Sequence, residues 1–562
     1  QLICMRFVCI HNHINYSNDF YLELNMKKGM VVAPQPEAVE SGVLVLREGG
    51  NAVDAGITTA LVQGVVDPQM TGIAGFGSMQ VYLPGAGVQE CIDFHGKSPA
   101  SVRPEMWQDY IEGETRDGFG FILKGHINDV GYQSITVPGS LKAYSEAHSK
   151  WGKLPWADLL APAISYAEQG VIIRPHMYNW WTTNDGSGRV FPKERLSHTP
   201  AGRRIYFHKD GTLKRVGERL ENPELANTLR RLAEFGADDF YTGEIAAQIV
   251  EDMQAHGGLL SKNDLMNYRT TSTKPLWGDY RGFSLATNRP PGGGIMLIEM
   301  LNVLEQFDLT ALEHNSVEYI RVVSEVMKRA TIDKENHIGD PAYFEIPLDL
   351  LTSKKYAENL ASAIKRGEKA TVERIQLESK DTTHVSVVDS EGNALAMTHS
   401  LGMPSGVITE DLGFMYNGCM GAFDPRPGRA GSIAPGKSRF SSICPSMVFK
   451  EGELRLVIGA PGGTHIPMGV LQVLLNILDF KMSIQDAITA PRFSGNSPLI
   501  DVVNRIPRYV TDELEAQGYG IRRWAQSYAF AWVHGILLDK DSLTGGADPI
   551  ADGMALHTQP IV

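Results

Sequence analysis

Apolar and polar positions along this chain fall into two textures that meet near residue 380. Upstream, residues 38–47 and 52–66 carry small and branched apolar side chains with few interruptions. They predict two close-packed helices separated by Glu48-Gly49-Gly50-Asn51, the second ending before Asp67-Pro68. A glycine-rich stretch over 71–79 leads into a predicted strand that includes residues 80–83. Residues 140–370 read as largely helical, with amphipathic runs at 223–235, 243–256 and 316–338 and a break at Pro290-Pro291-Gly292-Gly293-Gly294. Beyond Lys380 the chain turns to short strands and Gly/Pro loops, with helices again near 467–478 and 483–490. No internal repeat and no low-complexity tract is present.

The boundary between the two textures carries the strongest local signal. Val385 and Val387 alternate with Ser386, a turn-prone Asp389-Ser390-Glu391-Gly392-Asn393 follows, and a second run covers 394–400. This pattern predicts a β-hairpin with Thr382 at the mouth of a sheet. A threonine hydroxyl is a weak nucleophile, but a threonine with a free α-amino group, of reference pKa about 7.7 to 8.0, has a general base built in. That amine exists only if the chain is cut between Asp381 and Thr382. A Thr-Thr pair opening a strand is by itself ordinary, because β-branched residues favour strands.

Composition narrows the classes. The 562 residues allow several domains of ordinary size, and 43 % hydrophobic with 21 % charged residues describe a globular chain. No apolar run approaches the ~20 residues that span a bilayer, so no membrane segment is expected. A formal charge of −13 and a pI near 5.7, with no clustered basic face, argue against nucleic acid as a partner. Five widely spaced cysteines, Cys4, Cys9, Cys91, Cys419 and Cys444, do not make a disulfide framework and fit a reducing, cytoplasmic compartment. Residues 1–25 make a poor signal peptide and read as an unstructured leader ahead of Met26; Cys9, His11 and His13 there are the one conceivable metal cluster, to which no function is assigned.

Two nucleotide-binding patterns fail on context. The loop at 71–79 follows a helix and opens a strand, the reverse of a dinucleotide-binding turn. Gly431-Ser432-Ile433-Ala434-Pro435-Gly436-Lys437-Ser438 fits the phosphate-loop consensus by letter. It is preceded by Asp424-Pro425-Arg426-Pro427-Gly428 rather than a strand, and followed by a second strand-like run rather than a helix.

Downstream of Thr382 lie Thr398-His399-Ser400, Arg439-Phe440-Ser441-Ser442 and Gly459-Ala460-Pro461-Gly462-Gly463-Thr464. Acyl transfer needs a nucleophile, a base and donors aimed at the developing oxyanion, and adjacent glycines can present unobstructed backbone N–H groups. In this order the segments resemble the gamma-glutamyltransferase (gamma-glutamyltranspeptidase) family of N-terminal nucleophile hydrolases. The resemblance also takes in Glu48-Gly49-Gly50-Asn51-Ala52-Val53-Asp54-Ala55, Val137-Pro138-Gly139, Phe240-Tyr241-Thr242-Gly243, Gly339-Asp340-Pro341 and Ala490-Pro491-Arg492-Phe493. It implies an α/β protein with a four-layer αββα sandwich and a helical middle region. It further implies a precursor that cuts itself at Asp381-Thr382 into a large subunit, 26–381, and a small subunit, 382–562, which stay associated.

By position, the resemblance implies Thr382 as nucleophile, Ser400 where the family usually has a supporting Thr, and Gly462 and Gly463 as oxyanion hole. Ser441 and Ser442 match the serine pair on the donor carboxylate. It implies no cofactor and no metal, a small amide donor with water or an amine as acceptor, and leaves room for a homo-oligomer. The donor pocket departs from the family. His95, in Asp93-Phe94-His95, stands where an arginine grips the α-carboxylate. Cys419 and Ala422 stand for a Gln and an Asp, and Gly402 for an Asn. One charge-assisted contact is worth about 1.5 to 3 kcal/mol, so these changes argue against glutathione as donor unless another arginine, such as Arg289 or Arg439, substitutes. Three readings follow: a gamma-glutamyl transferase or hydrolase, an acylase or amidohydrolase on another small amide, and an unprocessed, non-enzymatic homologue.

Overall fold

Two antiparallel sheets stacked face to face, each covered on its outer side by helices, form the centre of the molecule. The computed structural model describes residues 29–116, 118, 120–184, 186–374, 382–539 and 542–558. The expectations for the leader 1–25 and for Asp381 lie outside them.

The first sheet has seven strands, in the order Met554–His557, Met30–Ala33, Thr382–Val388, Ala394–Ser400, Phe76–Leu83, Val88–Phe94, Thr271–Thr273. The second has six: Ser542–Ala547, His534–Asp539, Glu453–Gly459, Ser446–Lys450, Phe283–Thr287 and Leu276–Tyr280. Helices Pro36–Arg47 and Ala52–Val66 cover the first sheet, and Gly294–Leu304, Ile466–Leu478 and Ile484–Thr489 cover the second. This is the expected αββα sandwich.

The hairpin forms in the centre of the first sheet, with Thr382 opposite Ser400 and Val388 opposite Ala394. Strand periodicity sorts its side chains. Val385, Val387, Leu395 and Met397 join the helix-side core, whereas Val388, Ala394 and Ala396 pack between the sheets. Thr382 and Ser400 share the inter-sheet side, and Thr383 and His399 face the helices. Helix Ala52–Val66 is buried almost all round, which explains its unbroken apolar sequence. It is capped by a reciprocal pair: the Asn51 side chain accepts from the Asp54 backbone, and the Asp54 carboxylate accepts from the Asn51 N–H.

The middle region is largely helical as expected, and within it Leu276–Tyr280 and Phe283–Thr287 form a hairpin that completes the second sheet. The exposed Trp277 and Asp279, with half-buried Gly278 between them, hide the apolar alternation from the sequence. The strand predicted to include 80–83 also begins earlier, at Phe76. Among the described residues, no helix is long and apolar enough to cross a membrane.

Asp67, just past helix Ala52–Val66, is fully buried and faces His176 at 3.0 Å. His176 also meets Asp552 at 3.3 Å, which ties the C-terminal segment to the helical layer. Burial disfavours the imidazolium, but Asp67 and Asp552 outweigh it and hold the His176 pKa up at about 9. Burial likewise pushes Asp67 up, and His176, Arg174 and Gln35 more than reverse this, leaving it below the ordinary carboxylate value. A histidine raised in the folded state contributes stability that is complete below its unfolded pKa of about 6.5 and is lost as pH rises through the folded value. The thermal midpoint should therefore fall between pH 6.5 and about 9, and His176→Ala should flatten that slope and cost about 3 kcal/mol at neutral pH by leaving Asp67 buried without its cation. A midpoint in the variant that still falls over this window would contradict the assignment.

Candidate active site

A small pocket of about 30 Å³ lies where the hairpin mouth meets the start of helix Ile466–Leu478. Thr382, Gly402, Ser441, Ser442 and Gly463 line it, together with Arg189 and Arg439. At Ala422 it adjoins a cavity of about 540 Å³, whose wall Ala422 also forms.

The Thr382 and Ser400 hydroxyl oxygens are 3.0 Å apart, a hydrogen bond in which either can donate. Ser400 Oγ in turn accepts the Gly402 backbone N–H at 2.8 Å. Thr382 is only 7 % exposed, so its hydroxyl lies in a site largely closed to water. Ser441 is fixed through its backbone, whose N–H donates to the Pro291 carbonyl at 2.9 Å, and its hydroxyl accepts the Ile443 N–H. Packing of Gly293 on Ser442 sets the neighbouring turn: a Cβ on Gly293 would lie 2.4 Å from the Ser442 carbonyl oxygen. The glycine-rich break at 290–294 is therefore the support of the serine pair.

Gly462 and Gly463 close a loop directly ahead of helix Ile466–Leu478. Gly462 has φ +139°, a region disfavoured for any side chain, and a Cβ there would lie 2.5 Å from Ala531 Cα. Arg492 braces that neighbour. Its guanidinium donates to the carbonyls of Ala529 and Ala531 and pairs with Asp548 at 2.6 Å, all fully buried. Gly463 faces the pocket beside Thr382; Gly462 is not among the lining residues.

Two expected donor contacts lie one layer back. His95 is buried, with its Nδ1 2.7 Å from Asp93, and its ring packs on Phe76 at 5.9 Å. It does not line the pocket. Cys419 lies beneath Gly402: a Cβ on Gly402 would come 3.0 Å from its sulfur. Burial pushes the Cys419 thiol up to about 11, with Arg439 pulling the other way, so it stays protonated. Arg289 also stays outside, its Nε donating to the Lys274 carbonyl. Arg439 does line the pocket, lying over the Phe76 ring at 4.4 Å on its way there.

Arg189 is the charged lining residue that sequence reasoning missed. It donates to Asp129 at 2.9 Å, and the same carboxylate takes Arg195. Burial raises Asp129, but the two guanidiniums outweigh it and hold the group well below the usual range. Among the described residues, two arginines share this one carboxylate. Among the described lining residues no Asp or Glu appears. The phosphate-loop lookalike is spent on structure: Lys437 Nζ donates to the carbonyls of Ala430 and Ser432 at 2.8 Å each. No helix follows it, only loop and then strand Ser446–Lys450.

The αββα sandwich is that of the N-terminal nucleophile class, and the chain is an enzyme acting on amide bonds. The chain belongs to the gamma-glutamyltranspeptidase family, whose model matches residues 38–558. It is 33 % identical over 534 residues to the acylase ACY 1 proenzyme of Pseudomonas sp. strain SE83, covering 94 % of this chain and 93 % of that protein. It is 32 % identical over 554 residues to the glutathione hydrolase proenzyme of Pseudomonas aeruginosa, covering 95 % of each. Among solved structures, a cephalosporin acylase from Bacillus halodurans superposes with TM-score 0.84 at 28 % identity, covering 98 % of this chain and 99 % of that one. The proenzyme names of these relatives suggest a precursor processed into subunits.

Proposed function

We propose that this chain is a self-processing amidohydrolase and acyltransferase whose nucleophile is Thr382, and whose donor is a short acyl amide bearing a carboxylate but no α-ammonium group. The carrying observation is a pocket in which the Thr382–Ser400 hydroxyl pair faces Arg439, Arg189, Ser441 and Ser442, with no carboxylate among its described lining residues. Cutting before Thr382 separates a large subunit, 26–381, from a small one, 382–562. The freed α-amine takes the hydroxyl proton while Oγ1 attacks the donor carbonyl. Backbone N–H groups at Gly462 and Gly463 stabilise the oxyanion, which collapses to an acyl-Thr382 ester as the leaving amine takes the proton. Water or a second amine then attacks the ester, and the hydroxyl of Thr382 is restored.

The planar guanidinium of Arg439 supplies the carboxylate clamp that His95 does not reach. An α-ammonium, by contrast, finds no anion among the described residues lining this pocket, and forgoing one charge-assisted contact costs about 1.5 to 3 kcal/mol. Names of relatives include both glutathione hydrolases and acylases, and the pocket favours the second kind. The test compares a glutaryl amide with the gamma-glutamyl amide of the same amine. The glutaryl donor should show kcat/KM about ten- to a hundredfold higher, and Arg439→Leu should lower it by a similar factor. Preference for the gamma-glutamyl donor, or indifference to Arg439→Leu, would return the chain to gamma-glutamyl chemistry.

A further inference from the structure

Behind the hydroxyl pair, on the helix side of the same hairpin, lies a buried amide that touches both strands. Gln63, in helix Ala52–Val66, places its Nε2 2.9 Å from Thr383 Oγ1, 3.3 Å from the His384 carbonyl and 2.8 Å from Gln35 Oε1. Its Oε1 is 2.8 Å from His399 Nε2. Thr383 closes a ring by donating to Gln35 Oε1 at 3.2 Å. Gln63, Gln35, Thr383 and His399 are all essentially free of solvent contact.

The partners fix each role. With the two Nε2 hydrogens shared among three acceptors, Gln63 Oε1 must accept, so His399 carries its proton on Nε2. His399 Nδ1 is then an acceptor, and its single lone pair faces the hydroxyls of Thr71 at 2.8 Å and Tyr144 at 2.7 Å. Burial holds this imidazole neutral, its pKa brought down to about 3, as an accepting Nδ1 requires. Every polar atom of the cluster that faces Gln63 is satisfied in one orientation of the amide only.

Register turns this cluster into a device for the site. Thr383 pairs with His399 across the hairpin, and the next pair is Thr382 with Ser400. One side-chain amide therefore grips both strands one residue away from the point where the two hydroxyls come within 3.0 Å. We infer that Gln63 is a positioning residue: it sets the separation and orientation of the Thr382 and Ser400 hydroxyls without touching substrate. This rests on the reading of Thr382 as nucleophile. Misplacement of a reacting group by about 1 Å can cost on the order of a hundredfold in rate.

The test uses the mature enzyme, with active sites counted by a covalent acylating inhibitor. Gln63→Leu keeps the volume but offers no amide, and Thr383→Val keeps the β-branched shape but removes the hydroxyl. For each, kcat per titrated site should fall about ten- to a hundredfold with KM within twofold, and precursor self-cleavage should slow by a similar factor. The double variant should be little worse than Gln63→Leu alone, because both remove the same link. A role confined to stability would lower the melting temperature and the fraction of active sites while leaving kcat per site unchanged, which overturns the inference. If Gln63→Leu does not accumulate, Thr383→Val decides on the same criterion. A wild-type chain with no titratable site overturns the nucleophile reading itself, and the inference with it.

Discussion

Thr382→Ala should leave the chain uncut and lower turnover by about 10⁴-fold or more, the scale on which loss of a nucleophile acts in covalent hydrolases. The reason is local. Among the described residues, Thr382 is the only hydroxyl that combines a place in the pocket, a 3.0 Å bond to Ser400 and a position from which a chain break would create an α-amine beside it. Thr382→Ser should keep the oxygen and retain partial activity. Self-cleavage and turnover should fail together, because both begin with the same oxygen attacking a carbonyl. A gel showing efficient cleavage of Thr382→Ala at the same bond, or turnover near wild type, would remove Thr382 from the mechanism.

Gly462→Ala should be the second most damaging single change. A side chain at φ +139° costs about 1 to 3 kcal/mol in backbone strain, and its Cβ would press on Ala531 at 2.5 Å. Ala531 cannot retreat freely, since Arg492 holds its carbonyl and is itself locked by Asp548. The strain must appear in the loop of Gly462 and Gly463, turning the backbone donors away from the oxyanion. Loss of one such donor lowers kcat by about 10²- to 10³-fold. The change should therefore appear in kcat, with KM little altered, and as a lower melting temperature. A variant with wild-type kcat would show that the loop does not serve the oxyanion.

Most of the sandwich was legible because its central elements obey simple periods. Residues 382–388 alternate cleanly, and the five-residue turn at 389–393 fixes the register, so that Thr382 must face Ser400. The helix at 52–66 could be read from its unbroken apolar run between Asn51 and Asp67-Pro68. The hairpin at 276–287 was not legible, because an outer strand with one exposed face mixes Trp277 and Asp279 with its apolar positions. In the pocket, motif order brought out Thr382, Ser441, Ser442 and Gly463, which meet in space. It placed His95 and Cys419 too far forward. Phe76 and Gly402 lie between them and the pocket, and that layering depends on where a distant strand begins. Arg189 had no local signal: its place depends on Asp129, sixty positions away, and on a turn against Gly421. Gln63 was invisible for the same reason, since an apolar helix gives no hint of which side its single amide faces.

The central claim is that Thr382 becomes an N-terminal nucleophile, and intact mass spectrometry of the purified protein after brief reaction with a slow acyl donor tests it directly. Two polypeptides should appear, the smaller beginning at Thr382, and only the smaller should gain the mass of one acyl group, on its first residue. A single full-length chain, or an acyl group on any other residue, would contradict it.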